Sequence, residues 1–305
     1  MPSPTDFNLS PYYDDFAESK KFHRILFRPS FAVQARELTQ SQSILQNQVE
    51  RVSDHLFEKG AMVIPGEIGY NINYYAVKLT SFTDSAAVGV TLTDFVGLQL
   101  TGQTSGVVAK VINQVATDGT DPNTLYVQYE TSGTSNTANS FTDGETISVS
   151  TTLQSVVTTV SAVVDTTATG AAAYVAEGTY YINGFHVNVS EQTLILDKYT
   201  NTPSYRVGLL VTESFVTPND DLSLNDNAQG TSNVNAPGAH RFKIDLTLTK
   251  KSLTATDDAN FVELLRLKAG ILSLQVIHLG LITSIISGFL QLPQYNPLLS
   301  VARLK

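Results

Sequence analysis

One stripe of side chains constrains this 305-residue chain more than any other feature. Phe31, Ala35, Leu38, Gln42, Leu45, Val49, Val52 and Leu56 follow one another at steps of three or four residues. That period lines them along one face of an α-helix predicted over residues 31–60, with Pro29 tolerated at its start and Gly60 placed to end it. The remaining faces carry Gln34, Arg36, Glu37, Gln40, Gln46, Gln48, Glu50, Arg51 and Asp54. An apolar stripe this narrow, sustained for about four heptads, is the seam of a coiled coil rather than the broader face that a helix lays on a globular core. Gln42 fits the same reading, because a polar layer in a coiled-coil seam sets register at some cost in stability. The expectation is a parallel, self-associating helix, a homotrimer with Leu38, Gln42, Leu45, Val49, Val52 and Leu56 in its seam. The alternative is an ordinary amphipathic helix packed on the chain's own strands.

Beyond Gly60 the pattern changes to strands and turns as far as about residue 250, which makes the chain mainly β with an N-terminal helix. Met62 to Gly66 reads as a turn, and Tyr70 to Leu79 as a strand rich in aromatic and branched residues. Residues 95–150 are dominated by Gly, Ser, Thr, Asn and Asp around short alternating runs at Gly106–Ile112 and Thr124–Tyr129. They are expected to form a small inserted β domain. Leu153 to Thr169, low in charge and rich in branched residues, suits a strand or an extended crossing connection. Asn183-Gly184, between Tyr180-Tyr181-Ile182 and Phe185-His186-Val187, marks a hairpin with a type I′ turn. Further strands are expected at Thr193–Leu196, Arg206–Phe215 and His240–Thr249. The predicted order is an extended arm (1–30), the helix (31–60), a main β domain of sandwich or barrel-like form (61–94 and 151–250), the insertion (95–150) and a C-terminal segment (251–305).

The arm concentrates Tyr12, Tyr13, Phe16, Phe22 and Phe27 among Asp14, Asp15, Lys20, Lys21, Arg24 and Arg28, with little aliphatic content. Such a segment either lies on its own protein or docks on another subunit, where buried aromatics are favoured anchors. The N-terminus has no cationic start leading into an apolar run, so a secretory signal is not expected.

Composition narrows the function classes. The absence of Cys removes disulfides, zinc knuckles, iron–sulfur clusters and thiol nucleophiles. The five His stand singly at His23, His55, His186, His240 and His278, and no two have chelating spacing. A net charge of −9 opposes a nucleic-acid surface, which needs basic stripes to neutralise phosphates. The acidic pairs Asp14-Asp15, Asp220-Asp221 and Asp257-Asp258 have no base beside them in sequence and read as surface charge rather than a hydrolytic dyad. The loop Asn219 to Gly230 is rich in oxygen ligands but departs from the spacing of a calcium loop, so a hydrogen-bonded loop is expected. Gly97 to Gly106 matches no phosphate or dinucleotide pattern. No enzyme activity, cofactor or metal is expected.

Several runs resemble a virion-protein family of tailed bacteriophages, represented in myophages of cyanobacteria and in T4-like relatives. They are Tyr12-Tyr13-Asp14-Asp15-Phe16, Phe22 to Pro29, Gln34 to Gln40, Asp54 to Gly60, Tyr181 to Phe185, Gln192 to Asp197, Pro203 to Leu209, Asp226 to Gly230 and Gly238 to Arg241. The resemblance covers most of residues 10–268. It implies a structural homotrimer of the tail, at the baseplate or where fibres attach, located in the virion after synthesis in the host cytoplasm and partnered by other tail or baseplate proteins. The alternative is a receptor- or carbohydrate-binding tail module, to which the Tyr- and Asn-rich β region would suit. The chain departs from the family at its end, where Ala269 to Ala302 contains no Asp, Glu, Lys or Arg. Ile271 to Leu292 is long enough to span a bilayer, but Ser273, Gln275, His278, Thr283, Ser284, Ser287 and Gln291 weigh against a span. A buried or intersubunit segment is the expectation, and an altered reading frame the other account.

Overall fold

The computed structural model describes residues 4–80, 91–133, 136–153, 156–228, 230–256 and 258–275. An extended arm leads to helix α1 (Ala35–Leu56). Strands β1 (Met62–Ile64), β2 (Ile68–Leu79), β3 (Gln99–Gly102), β4 (Val108–Val115), β5 (Thr124–Thr131), β6 (Thr146–Leu153), β7 (Val156–Val175) and β8 (Gly178–Ile182) follow. The remainder are β9 (Phe185–Val189), β10 (Gln192–Asp197), β11 (Tyr205–Val216), β12 (Asn225–Asp226), β13 (Asn233–Pro237), β14 (Arg241–Ser252), β15 (Phe261–Lys268) and β16 (Ile271–Gln275). The chain is thus mainly β with antiparallel sheets and a single N-terminal helix among the described residues.

The helix is shorter than its periodicity suggested. Phe31 closes a turn onto Arg28 O, the chain stays non-helical to Gln34, and the Glu37 carboxylate accepts the Gln34 N–H at 2.8 Å, half of a capping box. It stops at Leu56, because Phe57 turns to extended geometry and lays its ring against Tyr181 and His186. Gly60 is therefore not the helix cap. With φ at +89° it turns the chain so that its N–H reaches Tyr181 O at 2.8 Å, which delivers Met62–Ile64 to β8 as a strand where a turn was expected.

The long sheet has the order β10-β7-β2-β5-β4-β3-β6, with β6 also paired to β7. It does not close into a barrel. β6 takes Val156–Val163 of the 20-residue strand β7, and β2 takes its continuation Val164–Val175, so the two halves of β7 are paired in succession. A second sheet, β14-β11-β15-β16, holds the longest register, β11 against β14 from Tyr205↔Ser252 to Val216↔Arg241. The hairpin β8–β9 with β1 forms a third sheet, and β12 pairs with β13.

Two separate cores result. One draws Tyr180, Ile182, Leu196, Leu209, Leu248, Leu265 and Leu267 from the β7–β15 region. The other joins Val77, Leu79 and Leu92 to Phe95, Leu100, Val111, Leu125 and Ile147. The second core takes in the stretch expected to be an insertion, yet it has no sheet of its own, because β5 pairs directly with β2. Asp121, at the far turn of β4–β5, accepts the Tyr199 hydroxyl and lies 2.9 Å from Lys78 Nζ, which fixes that turn to the main sheet. β15, beyond residue 251, is an internal strand of the second sheet and gives Phe261, Val262, Leu264, Leu265 and Leu267 to the buried interior. Of the uncharged end, residues 269–275 complete the β15–β16 turn and β16, and residues 276–305 lie outside the described part. Among the described residues no helix is long and apolar enough to cross a membrane.

The loop between β14 and β15 is tied down by a nearly buried guanidinium. Arg206 on β11 donates to both oxygens of Asp258 at 3.0 and 2.7 Å, to Glu263 at 2.7 Å and to Ala255 O at 2.8 Å. Arg266 closes on Glu263 from the other side at 2.7 Å. Burial would raise the Glu263 carboxyl, but its bonds to Arg266 and Arg206 hold it below the usual range, and the Arg206 bond does the same for Asp258. Carboxylates with depressed folded-state pKa values stabilise fully above their unfolded values, near 4. That stabilisation is lost as pH falls through the folded values. R206M should therefore cost about 3 kcal/mol at pH 7 by leaving Glu263 short of a partner. It should also lose less further stability than the parent chain between pH 5 and pH 3, as read from urea midpoints across that range.

Candidate assembly surface

Helix α1 is attached to its own chain by polar contacts. Gln46 Nε2 donates to Gly184 O at 2.7 Å, the Tyr181 hydroxyl donates to Asp54 Oδ1 at 2.7 Å, and Ser53 Oγ meets His186 Nε2 at 3.4 Å. All three partners sit on the β8–β9 hairpin, whose Asn183-Gly184 turn has φ of +49° and +89° at its two central residues, as a type I′ turn requires. The turn brings a backbone carbonyl up to the helix. Burial, and then the bond to Asp54, raise the Tyr181 phenol well above its ordinary range, and burial together with the Asp54 charge raises Glu50.

The arm runs along the helix and holds it at both halves, at Gln40 and Ser43 and again at Arg51. Buried Asp14 accepts from Ser43 Oγ, Asp15 accepts from Gln40 Nε2 at 3.1 Å, and Glu18 pairs with Arg51. Gln40, Ser43, Gln46, Glu50, Ser53 and Phe57 recur at helical spacing and define the attached face, with Ile44 the buried aliphatic residue of the helix.

The seam residues face the other way. At about 100° per residue, Leu45 and Val52 lie roughly 160° around the helix from Ser43 and Glu50. Leu38, Leu45, Val49 and Val52 are 54%, 65%, 48% and 62% exposed. Gln42 is exposed between them and Leu56 is half-buried. The helix does pack on its own chain's β8–β9 strands, as the alternative expected, but it does so through its polar stripe, and most of the apolar stripe is left exposed.

The structure divides the five aromatics chosen from the arm. Tyr12 is committed inside the chain, with its ring 5.1 Å from Phe215 and its hydroxyl 2.7 Å from His240 Nδ1. Phe16 is half-buried beside Asp14. Tyr13, Phe22 and Phe27 stay exposed. Phe7 escaped the sequence reading, although its ring contacts Phe215 and Phe242 at 6.0 and 5.0 Å and Thr5 beside it bonds Glu213. Nothing local marks Phe7, because its partners lie more than 200 residues away.

The remaining candidate groups are used internally. Asp220 accepts the Thr217 N–H and hydroxyl at 2.9 and 2.7 Å, Asp221 accepts Ser223 N–H at 2.9 Å, and Asp226 accepts Ala228 N–H at 3.1 Å. The loop expected to be hydrogen-bonded is so, apart from Gln229, which lies outside the described residues. Asp257 of the third acidic pair also lies outside them, and Asp258 belongs to Arg206. Among the described residues no cluster of His, Asp and Glu is arranged to hold a metal ion.

A family model described as a domain of unknown function, DUF4815, matches residues 10–154 and 154–279. The chain belongs to the DUF4815 family. No curated protein and no solved structure matches it. The DUF4815 matches take in the arm from residue 10, the whole of α1 and every strand among the described residues, so the exposed seam lies within the family's region rather than in an appendage to it.

The division of the arm has a direct test. F7A and Y12A should each lower stability by about 1–3 kcal/mol through lost aromatic packing. F22A and F27A, at exposed positions, should change it by less than about 0.5 kcal/mol. Urea denaturation of the four variants makes the comparison.

Proposed function

We propose that this DUF4815 protein is a structural component of a bacteriophage tail, at the baseplate or the fibre attachment. In this reading it is a homotrimer built on α1 that anchors other tail proteins, and it has no catalytic role. The observation that carries the proposal is the inverted helix, whose polar stripe is attached to its own chain while its heptad-spaced apolar stripe is exposed. Burying the exposed half of these four Leu and Val side chains would contribute roughly 1 kcal/mol each. Three copies suit a seam that is covered on both flanks, and Gln42 supplies a polar layer for register. The resemblance of the arm, helix and hairpin motifs to the tailed-phage virion family supplies the location and the partners.

The parent chain should sediment as a trimer. L45D/V52D, which places desolvated charges in the seam, should sediment as a folded monomer with unchanged β-sheet circular dichroism, since neither side chain packs on the sheets. Tagged parent protein should enter purified tail particles and the double variant should not. A monomeric parent chain, or equal incorporation of both, contradicts the proposal.

A further inference from the structure

Charge along the chain is separated in a way the net value conceals. Residues 19–36 contain Lys20, Lys21, Arg24, Arg28 and Arg36 and none of the chain's 28 Asp and Glu. Residues 207–240 show the opposite: no Lys or Arg, with Glu213, Asp220, Asp221 and Asp226. Each stretch also exposes apolar side chains. On the cationic side these are Phe22, Leu26, Phe27 and Phe31, at 52–76% exposure. On the acidic side they are Phe215, Leu222 and Val234, at 39–66%.

Lys20 turns back to Asp15, Arg36 to Gln34 and Arg28 to the Phe31 ring, and among the described residues no ion pair links the stretches. The cationic segment also has slack. It leaves the helix where Glu18 is tied to Arg51 and returns at the Gln34 cap, a distance of about 25 Å along the helix. Fifteen extended residues reach about 50 Å.

We infer that the segment 20–33 of one copy docks on the 217–240 loop of a neighbouring copy, pairing Lys21, Arg24 and Arg28 with Asp220, Asp221 and Asp226 and covering Phe22 and Phe27 with Leu222 and Val234. The inference rests on the trimer proposed above, since association along α1 is what brings the second copy alongside. The occupant is a second copy because this chain itself presents the complement in both charge and apolar surface. The same division explains the arm: residues 5–18 fasten the helix within the chain, and residues 20–33 reach out of it.

The test replaces Phe27 by the photo-crosslinker p-benzoylphenylalanine in the full-length chain. Irradiation of the purified protein should give a product of two chains' mass, with peptides mapping to residues 217–240. R24E/R28E should lower its yield at least tenfold while sedimentation still reports a trimer, since both side chains are exposed. A trimeric protein that cross-links only within its own chain, or to another region, or with a yield indifferent to R24E/R28E, overturns this inference and leaves the seam intact. A parent chain that sediments as a monomer overturns both. Cross-linking that appears only with phosphatidylserine vesicles or an added tail protein overturns it in favour of that occupant.

Discussion

The arrangement depends on how the β8–β9 hairpin holds helix α1. Gly184 O, the Tyr181 hydroxyl and His186 offer the helix hydrogen-bonding partners rather than an apolar trough. A helix with one polar and one apolar stripe ordinarily buries the second. Here the partner surface selects the first, and Leu38, Leu45, Val49 and Val52 are turned away from the chain. A different hairpin turn would move Gly184 O away from Gln46 and remove the bias.

The arm reinforces the same orientation along the length of the helix. Asp14, Asp15 and Glu18 reach Ser43, Gln40 and Arg51, all on or beside the attached face. Phe7 and Tyr12 in turn pin the arm to β11 and β14 through Phe215, Phe242 and His240. Helix, arm and sheet therefore form one linked set of contacts, although the arm has no core of its own. Surface ion pairs in such a set are individually weak. Its strength comes from the buried Asp14 and the aromatic cluster.

The Arg206 cluster works in the sheets as the hairpin works for the helix. It takes a loop far from β11 in sequence and holds it through bidentate geometry, which fixes direction as well as distance. With Asp258 and Glu263 both anchored, β15 enters the second sheet beside β11 in a register that buries Phe261 to Leu267.

The sequence by itself determined the elements whose signal is local. Three- and four-residue spacing gave the helix, Asn183-Gly184 gave the hairpin, and β-branched alternation gave β2, β5, β11 and β14 to within a few residues. These are properties of neighbouring residues, and no tertiary contact is needed to read them. Tertiary structure alone decided the rest. Which stripe of α1 is covered, which arm aromatics are held within the chain, why the helix stops at Leu56, and why β15 is internal all turn on partners far away in sequence. Phe7 meets Phe242, Glu50 and Asp54 lie over the β8–β9 hairpin, and Arg206 meets Asp258. Periodicity says that a helix has two unlike faces, but which face is buried depends on the surface that the rest of the fold presents to it.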